Sequence, residues 1–299
     1  MTTRRAKEDE GGSQGGGRLS RSSSGGDTRG GAEAGGFYVY CVGAREELAH
    51  LFGEGLPEAI EPDAPLELVA GGELAAVASA VPLSDYGEEK LTARLADPEW
   101  IAVRAMRHER VVEHFARRAG IAPLRFGTIY LRREGVERML AGRRDELRAA
   151  VSRLRGREEW GVNVYCDRAK LLERIVELSP RLRGLSERAS TLPPGRAYLL
   201  RKQVDARRAD EAREELARAT EEIERRLGAA SEAGVRLRVS SAEAAERREL
   251  AAKFAFLVER ARFAEFRAAA EELAREREGA GLRLELAGPL PAYSFVAGS

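Results

Sequence analysis

The sequence predicts an α+β protein of two tandem ferredoxin-like (βαββαβ) units, with linking helices and an extended C-terminal tail. Three observations predict it. Strand-like and helix-like runs follow one another as strand, helix, two strands, helix, strand, and the order then repeats. Val39-Tyr40-Cys41 and Val164-Tyr165-Cys166 echo each other, each in the first strand of a unit. At 299 residues the chain also exceeds a typical single domain.

Residues 1–36 are Gly, Ser, Arg and acidic residues without apolar periodicity, which predicts a disordered tail. Its glycines have no preceding strand and no Gly-Lys-Ser/Thr, so they do not make a phosphate loop. The N-terminal α+β domain, residues 37–131, opens with the β-formers Phe37 to Val42. A helix over Ala44 to Phe52 follows, then a hairpin of Leu66 to Ala70 and Leu74 to Val81 across Gly71-Gly72. Glu88 to Ala96 and Glu99 to Ala119 read as helices, with Pro98 suited to a first turn. Ile101, Ala105, His108, Val112 and Phe115 share one face of the longer one. Ile121 to Tyr130 returns to strand character.

Helices over Glu134 to Ala141 and Arg144 to Leu154 are expected to form a linker spanning 132–157. The C-terminal ferredoxin-like domain, 158–287, starts with a strand at Trp160 to Cys166 and a helix at Arg168 to Leu178. After Leu192-Pro193-Pro194-Gly195 comes a long helix, Arg196 to Leu227, with Ala212, Leu216, Ala219, Ile223 and Leu227 as an apolar seam. Strands at Val235 to Ser240 and Ala252 to Val258, a helix at Arg262 to Arg277 and a strand at Leu282 to Leu286 complete the repeat. The tail, 288–299, is expected to leave the sheet at Gly288-Pro289 and to dock Tyr293 and Phe295 onto the domain junction. A partner-binding tail is the competing expectation.

The balance of 50 Lys+Arg against 49 Asp+Glu argues against a nucleic-acid or anionic-membrane surface. No apolar run approaches membrane-spanning length. Cys41 and Cys166 lack metal-ligand spacing and read as buried thiols in a reducing cytoplasm. The three histidines, His50, His108 and His114, make no recognisable catalytic or metal constellation, so neither a catalytic site nor a cofactor is expected.

Arg125, in Pro123-Leu124-Arg125-Phe126-Gly127-Thr128, is expected to be held partly buried by a strand. It serves there either a structural ion pair or a contact to an anion or a partner. Phe126 beside it, Trp160 at the start of the second unit and Tyr198 on the long helix are further structural or partner-contact candidates. Tyr293 and Phe295 complete that set.

Together these stretches resemble the gas vesicle protein GvpF/GvpL family over Tyr38 to Val296. The resemblance is carried by Tyr38 to Tyr40, Pro123 to Thr128, Glu159 to Val162, Gly195 to Leu199, Ala255 to Val258 and Gly288 to Phe295. The chain departs from the family at Lys253-Phe254-Ala255, where Asn-Ala-Ala is common, and at Leu290, where Trp is favoured. The resemblance implies a non-enzymatic accessory or minor structural protein, cytoplasmic before assembly and then on the gas vesicle. It would bind the hydrophobic shell protein and other accessory proteins during nucleation and guard the shell protein against aggregation. The alternative is a cytoplasmic ligand-binding regulator built on ferredoxin-like units, which requires a pocket with converging polar groups.

Overall fold

Aromatic and β-branched residues from Phe37 to Val42 suit a half-buried pleated surface, and they form the centre of β1 (Gly35–Ala44). The computed structural model describes residues 35–53, 55–94, 96–239 and 249–296, so nearly all of the expected disordered tail lies outside the described residues. Gly35 and Gly36 are the exceptions: they open β1, opposite Pro82 and Val81.

The first sheet follows the expected order. After β1 come α1 (Arg45–Leu51), the hairpin β2 (Leu66–Gly71) and β3 (Leu74–Pro82), α2 (Leu83–Tyr86), α3 (Glu88–Arg94) and α4 (Pro98–Ala116). Asp97 caps α4 by accepting from the backbone N–H of Glu99 and Trp100. The strand expected over Ile121 to Tyr130 is interrupted. β4 (Ile121–Pro123) and β5 (Ile129–Tyr130) both pair with β1, and between them Thr128 N–H donates to the Arg125 carbonyl at 3.2 Å. Leu124 N–H still donates to the Tyr40 carbonyl at 2.8 Å, and the chain then turns, with Gly127 at φ +83° closing the turn.

All pairings are antiparallel in the order β2-β3-β1-β4, the order of a ferredoxin-like unit. A β-bulge at Tyr40 lets both Tyr40 and Cys41 face α1 and α4, together with Tyr38, Val77, Val112 and Phe115. Val39 and Val42 face the other way.

That second face carries the main departure from expectation. α5 (Arg133–Gly142) and α6 (Arg144–Leu154), anticipated as a linker, cover it with Val136, Leu140, Leu147 and Val151 against Val39, Val42, Val69 and Ala76. Their polar composition hid an apolar stripe wide enough to close a sheet face.

The second sheet repeats the plan. It comprises β6 (Arg157–Cys166), α7 (Arg168–Leu178), α8 (Pro180–Ser190), α9 (Pro194–Ala229), β7 (Ala233–Leu237), β8 (Leu250–Glu259), α10 (Phe263–Glu278) and β9 (Leu282–Leu290). The order β7-β8-β6-β9 is again antiparallel. The seam of α9 is as expected: Ala219, Ile223 and Leu227 meet Val162, Phe254, Phe256 and Phe266, while Ala212 packs with Leu171 and Ile175. Ser179 caps α8 and also donates to the buried Glu211 of α9 at 2.7 Å.

β9 runs four residues beyond the expected end, and Leu290 pairs with Glu159 after an irregularity in register. The cis Gly288-Pro289 bond therefore lies inside the strand and does not mark its exit. A Cβ on Gly288, at φ +147°, would stand 2.8 Å from the Trp160 ring, so glycine is what lets the strand pass. Both cysteines are free and buried.

Candidate functional site at the junction of the two sheets

The last described residues bind the two sheets together. After β9, Tyr293–Phe295 form a single 3-10 turn. Phe295 is buried among Leu154 at the end of α6, Ala255 and Leu257 on the back of β8, and Ala292. Ser294 donates through its backbone N–H and its hydroxyl to the two carboxylate oxygens of Glu159, at 2.9 and 2.8 Å. Burial raises the Glu159 pKa, and the Ser294 donors oppose that rise. Arg153 of α6 donates to the Phe295 carbonyl.

Tyr293 turns the other way, into the first unit. Its hydroxyl donates to Glu109 at 3.0 Å and lies 3.0 Å from His108 Nε2. His108 Nδ1 lies 2.9 Å from the Tyr38 hydroxyl, which also accepts from Gly127 N–H at 3.0 Å. The directions follow from chemistry. A carboxylate only accepts, so the Tyr293 proton points to Glu109 and its oxygen must accept from Nε2–H. His108 is therefore neutral with its proton on Nε2, and Nδ1 accepts from Tyr38. Burial lowers its pKa to about 4, against a smaller opposing pull from the Leu124 backbone. The chain runs Gly127, Tyr38, His108, Tyr293, Glu109, every donor matched to an acceptor.

Arginines close the seam around this network. Arg260, after β8, donates to the carbonyls of Ala116 and Arg117 at the C-terminal end of α4, at 2.6 and 3.0 Å. It also pairs with Glu158 at 2.9 Å. A guanidinium there meets orphan carbonyls and the negative end of the helix dipole. The adjoining cleft, lined by Arg117, Arg157, Arg260 and Pro289, has a volume of only 20 Å³.

The candidates named from sequence divide into three groups. Phe126 and Tyr293 come together at His108, with Phe126 edge-on to both Tyr38 and His108. Phe295 and Trp160 flank the tail on the second sheet. Trp160 stacks on Phe263 at 4.1 Å, and its indole N–H has no acceptor among the described residues. Arg125 and Tyr198 stand apart. Arg125 is exposed at the tip of the turn between β4 and β5, with no ion-pair partner among the described residues. The expected half-buried structural ion pair is thus corrected, because the interrupted strand lifts this side chain into solvent. Tyr198 is 57% exposed on α9, with the Lys202 ammonium 5.6 Å from its ring centre.

Sequence reasoning did not single out Tyr38, Glu109, Arg153 or Arg260 as site residues. His108 carried a usable signal, a polar residue on the apolar face of α4, and read as structural. Among the described residues no group of three or more His, Cys, Asp or Glu is placed to hold a metal. No helix among them is long and apolar enough to cross a membrane.

Known proteins resemble this chain along most of its length. The chain matches the family described as "Gas vesicle synthesis protein GvpL/GvpF" over residues 36–297. It is 33% identical to gas vesicle protein L of Streptomyces sp. (strain CB03234) over 266 residues, 87% of this chain and 92% of that protein. Gas vesicle protein F of the same organism is 29% identical over 242 residues, 79% of this chain and 90% of that protein. Two solved structures share the fold. GvpF from Microcystis aeruginosa has a TM-score of 0.58 at 17% identity, covering 87% of this chain and 98% of its own. GvpF from Anabaena sp. PCC7120 has a TM-score of 0.61 at 16% identity, covering 89% and 97%. The match spans both sheets and the docked tail, and the chain belongs to the GvpL/GvpF family of gas vesicle proteins.

Proposed function

We propose that this protein is a non-enzymatic assembly factor that binds the hydrophobic gas vesicle shell protein and other accessory proteins during nucleation. In this reading it is cytoplasmic before assembly, resides on the vesicle afterwards, and keeps unassembled shell subunits from aggregating. The observation that carries the reading is the extent of the match: residues 36–297 align with a gas vesicle synthesis family, and the L and F relatives are covered over 92% and 90% of their lengths.

The chemistry of the junction supports a binding role over a catalytic one. His108 spends both ring nitrogens on tyrosine hydroxyls. Burial pushes both cysteine thiols up, away from the reactive thiolate. The junction cleft is too small for a metabolite. A two-sheet body also suits a subunit that must shield an apolar partner, since isolated shell subunits would associate through exposed apolar surface. Among the described residues, Val103 and Met106 on α4, Leu131 after β5 and Leu290 on β9 are the large apolar side chains exposed outside the α7–α9 helices.

The test is light scattering from shell protein diluted out of denaturant, with and without this chain. The expected result is slower aggregation and co-elution of the two proteins. Unchanged aggregation together with separate elution overturns the reading.

A further inference from the structure

Charge is spread unevenly along the α8–α9 hairpin, far from the junction network. Residues 181–208 carry eight of the chain's 50 basic residues and only two of its 49 acidic ones. Residues 209–229, the rest of α9, carry four arginines and seven acids. There Arg213, Arg218 and Arg225 each pair within one turn, with Asp210, Glu215 and Glu222. In the first half Arg188, Arg196, Arg201, Lys202 and Arg207 are exposed and form no ion pair among the described residues. Crowded like charge lowers helix stability, and at these five positions no acidic partner among the described residues offsets it.

Apolar surface accompanies the cations. Leu199 is 61% exposed beside Tyr198. Further along, a groove of 390 Å³ opens between α7 and α9, floored by Leu172, Ala209, Ala212 and Leu216 and rimmed by Arg168 and Arg213. Helical spacing sets Tyr198, Lys202, Ala209, Arg213 and Leu216 along one face of α9. The face is therefore about 27 Å long at 1.5 Å per residue.

We propose that this face is the docking site for an acidic amphipathic helix of a protein partner. The apolar ridge of that helix lies over Ala209 and Ala212, whose small side chains admit close helix approach. Its carboxylates meet Arg168, Arg201 and Lys202, a match of charge to charge. A phosphate backbone would leave the apolar floor unused, and a bilayer surface cannot enter a groove between two helices. The inference rests on the assembly reading only for the partner being a vesicle protein; the chemistry of the surface stands without it.

The test uses the full chain and a labelled peptide of about 20 residues, long enough to form a helix on binding. The peptide has Leu at i, i+3, i+4 and i+7 spacing and Glu on the opposite face. Fluorescence anisotropy is expected to show saturable binding. The sequence-scrambled peptide and the Lys-for-Glu peptide are expected to bind weakly or not at all. Arg201→Glu with Lys202→Glu, and separately Leu172→Glu, should each weaken binding roughly tenfold or more. The first pair is exposed, so its fold survives even where Leu172→Glu fails to fold. Equal binding of the scrambled peptide, unchanged affinity in R201E/K202E, or tighter binding of single-stranded DNA or phosphatidylglycerol vesicles overturns the proposal. Shell protein is titrated in parallel. Peptide binding without shell-protein binding keeps this surface and removes the assembly reading. Shell-protein binding with no peptide binding does the reverse.

Discussion

Replacing Tyr293 by Phe removes one oxygen from the junction and keeps the ring. The oxygen lies 3.0 Å from His108 Nε2 and accepts its N–H, and His108 is 1% exposed. A buried donor stripped of its acceptor costs about 1–3 kcal/mol. Glu109 loses a donor too, but it is half-buried and water can replace that bond, so it adds little. The ring stays packed with Tyr38, Phe126 and His108, so no cavity term arises. Tm should then fall by roughly 2–4 °C per kcal/mol for a body of this size, some 4–8 °C for a loss of about 2 kcal/mol. Urea unfolding followed by circular dichroism measures it, with the m-value expected to stay constant. Tyr38→Phe should cost at least as much, since it strips both His108 Nδ1 and Gly127 N–H. The double variant should be non-additive, because the two hydroxyls share one imidazole. A loss below about 0.5 kcal/mol for Tyr293→Phe refutes the hydrogen-bond assignment.

Three further outcomes follow from the same geometry. His108 is held down to about 4, below its unfolded value of 6.5, so it contributes stability that is fully present above pH 6.5. That contribution, about 3 kcal/mol, is lost as pH falls from 6.5 to about 4; an NMR titration placing the His108 midpoint at 6 or above contradicts it. Gly288→Ala forces a Cβ against the Trp160 ring in a left-handed conformation and should destabilise by about 1–3 kcal/mol, measured by urea unfolding; a neutral result contradicts the close approach. Arg125→Ala should stay within about 0.5 kcal/mol of the parent, since the side chain is exposed and has no ion-pair partner among the described residues. If it also weakens binding of shell protein, Arg125 is a partner contact; a Tm drop of several degrees contradicts its exposure.

Much of the fold was legible because local signals agree with the global arrangement. Pro98 after Asp97 announces the start of α4, Gly71-Gly72 announces the hairpin, and the aromatic runs at Phe37 and Trp160 announce central strands. The tail was legible for a similar reason: Tyr293 and Phe295 have no place in a frayed terminus. What could not be read were consequences of long-range packing. Nothing local says that α5 and α6 close the back of the first sheet, or that Arg125 to Gly127 loop away from β1 between the Leu124 and Thr128 hydrogen bonds and carry Arg125 outward. Pro289 suggested the end of a strand, yet it sits on an edge, where a missing N–H does not interrupt a ladder. His108 could be assigned to the apolar face of α4 from its spacing. Its partners lie 70 and 185 residues away, a pairing that no periodicity encodes.

The tail clasp itself is tested most directly by ending the chain after Leu290, which keeps β9 whole and removes Tyr293, Ser294 and Phe295. The buried Phe alone corresponds to about 3–5 kcal/mol, so the truncated protein should melt roughly 10 °C or more below the full chain. Shell-protein binding at low temperature should survive wherever both sheets remain folded. An unchanged melting temperature with lost partner binding would contradict the clasp and make residues 291–296 a binding tail.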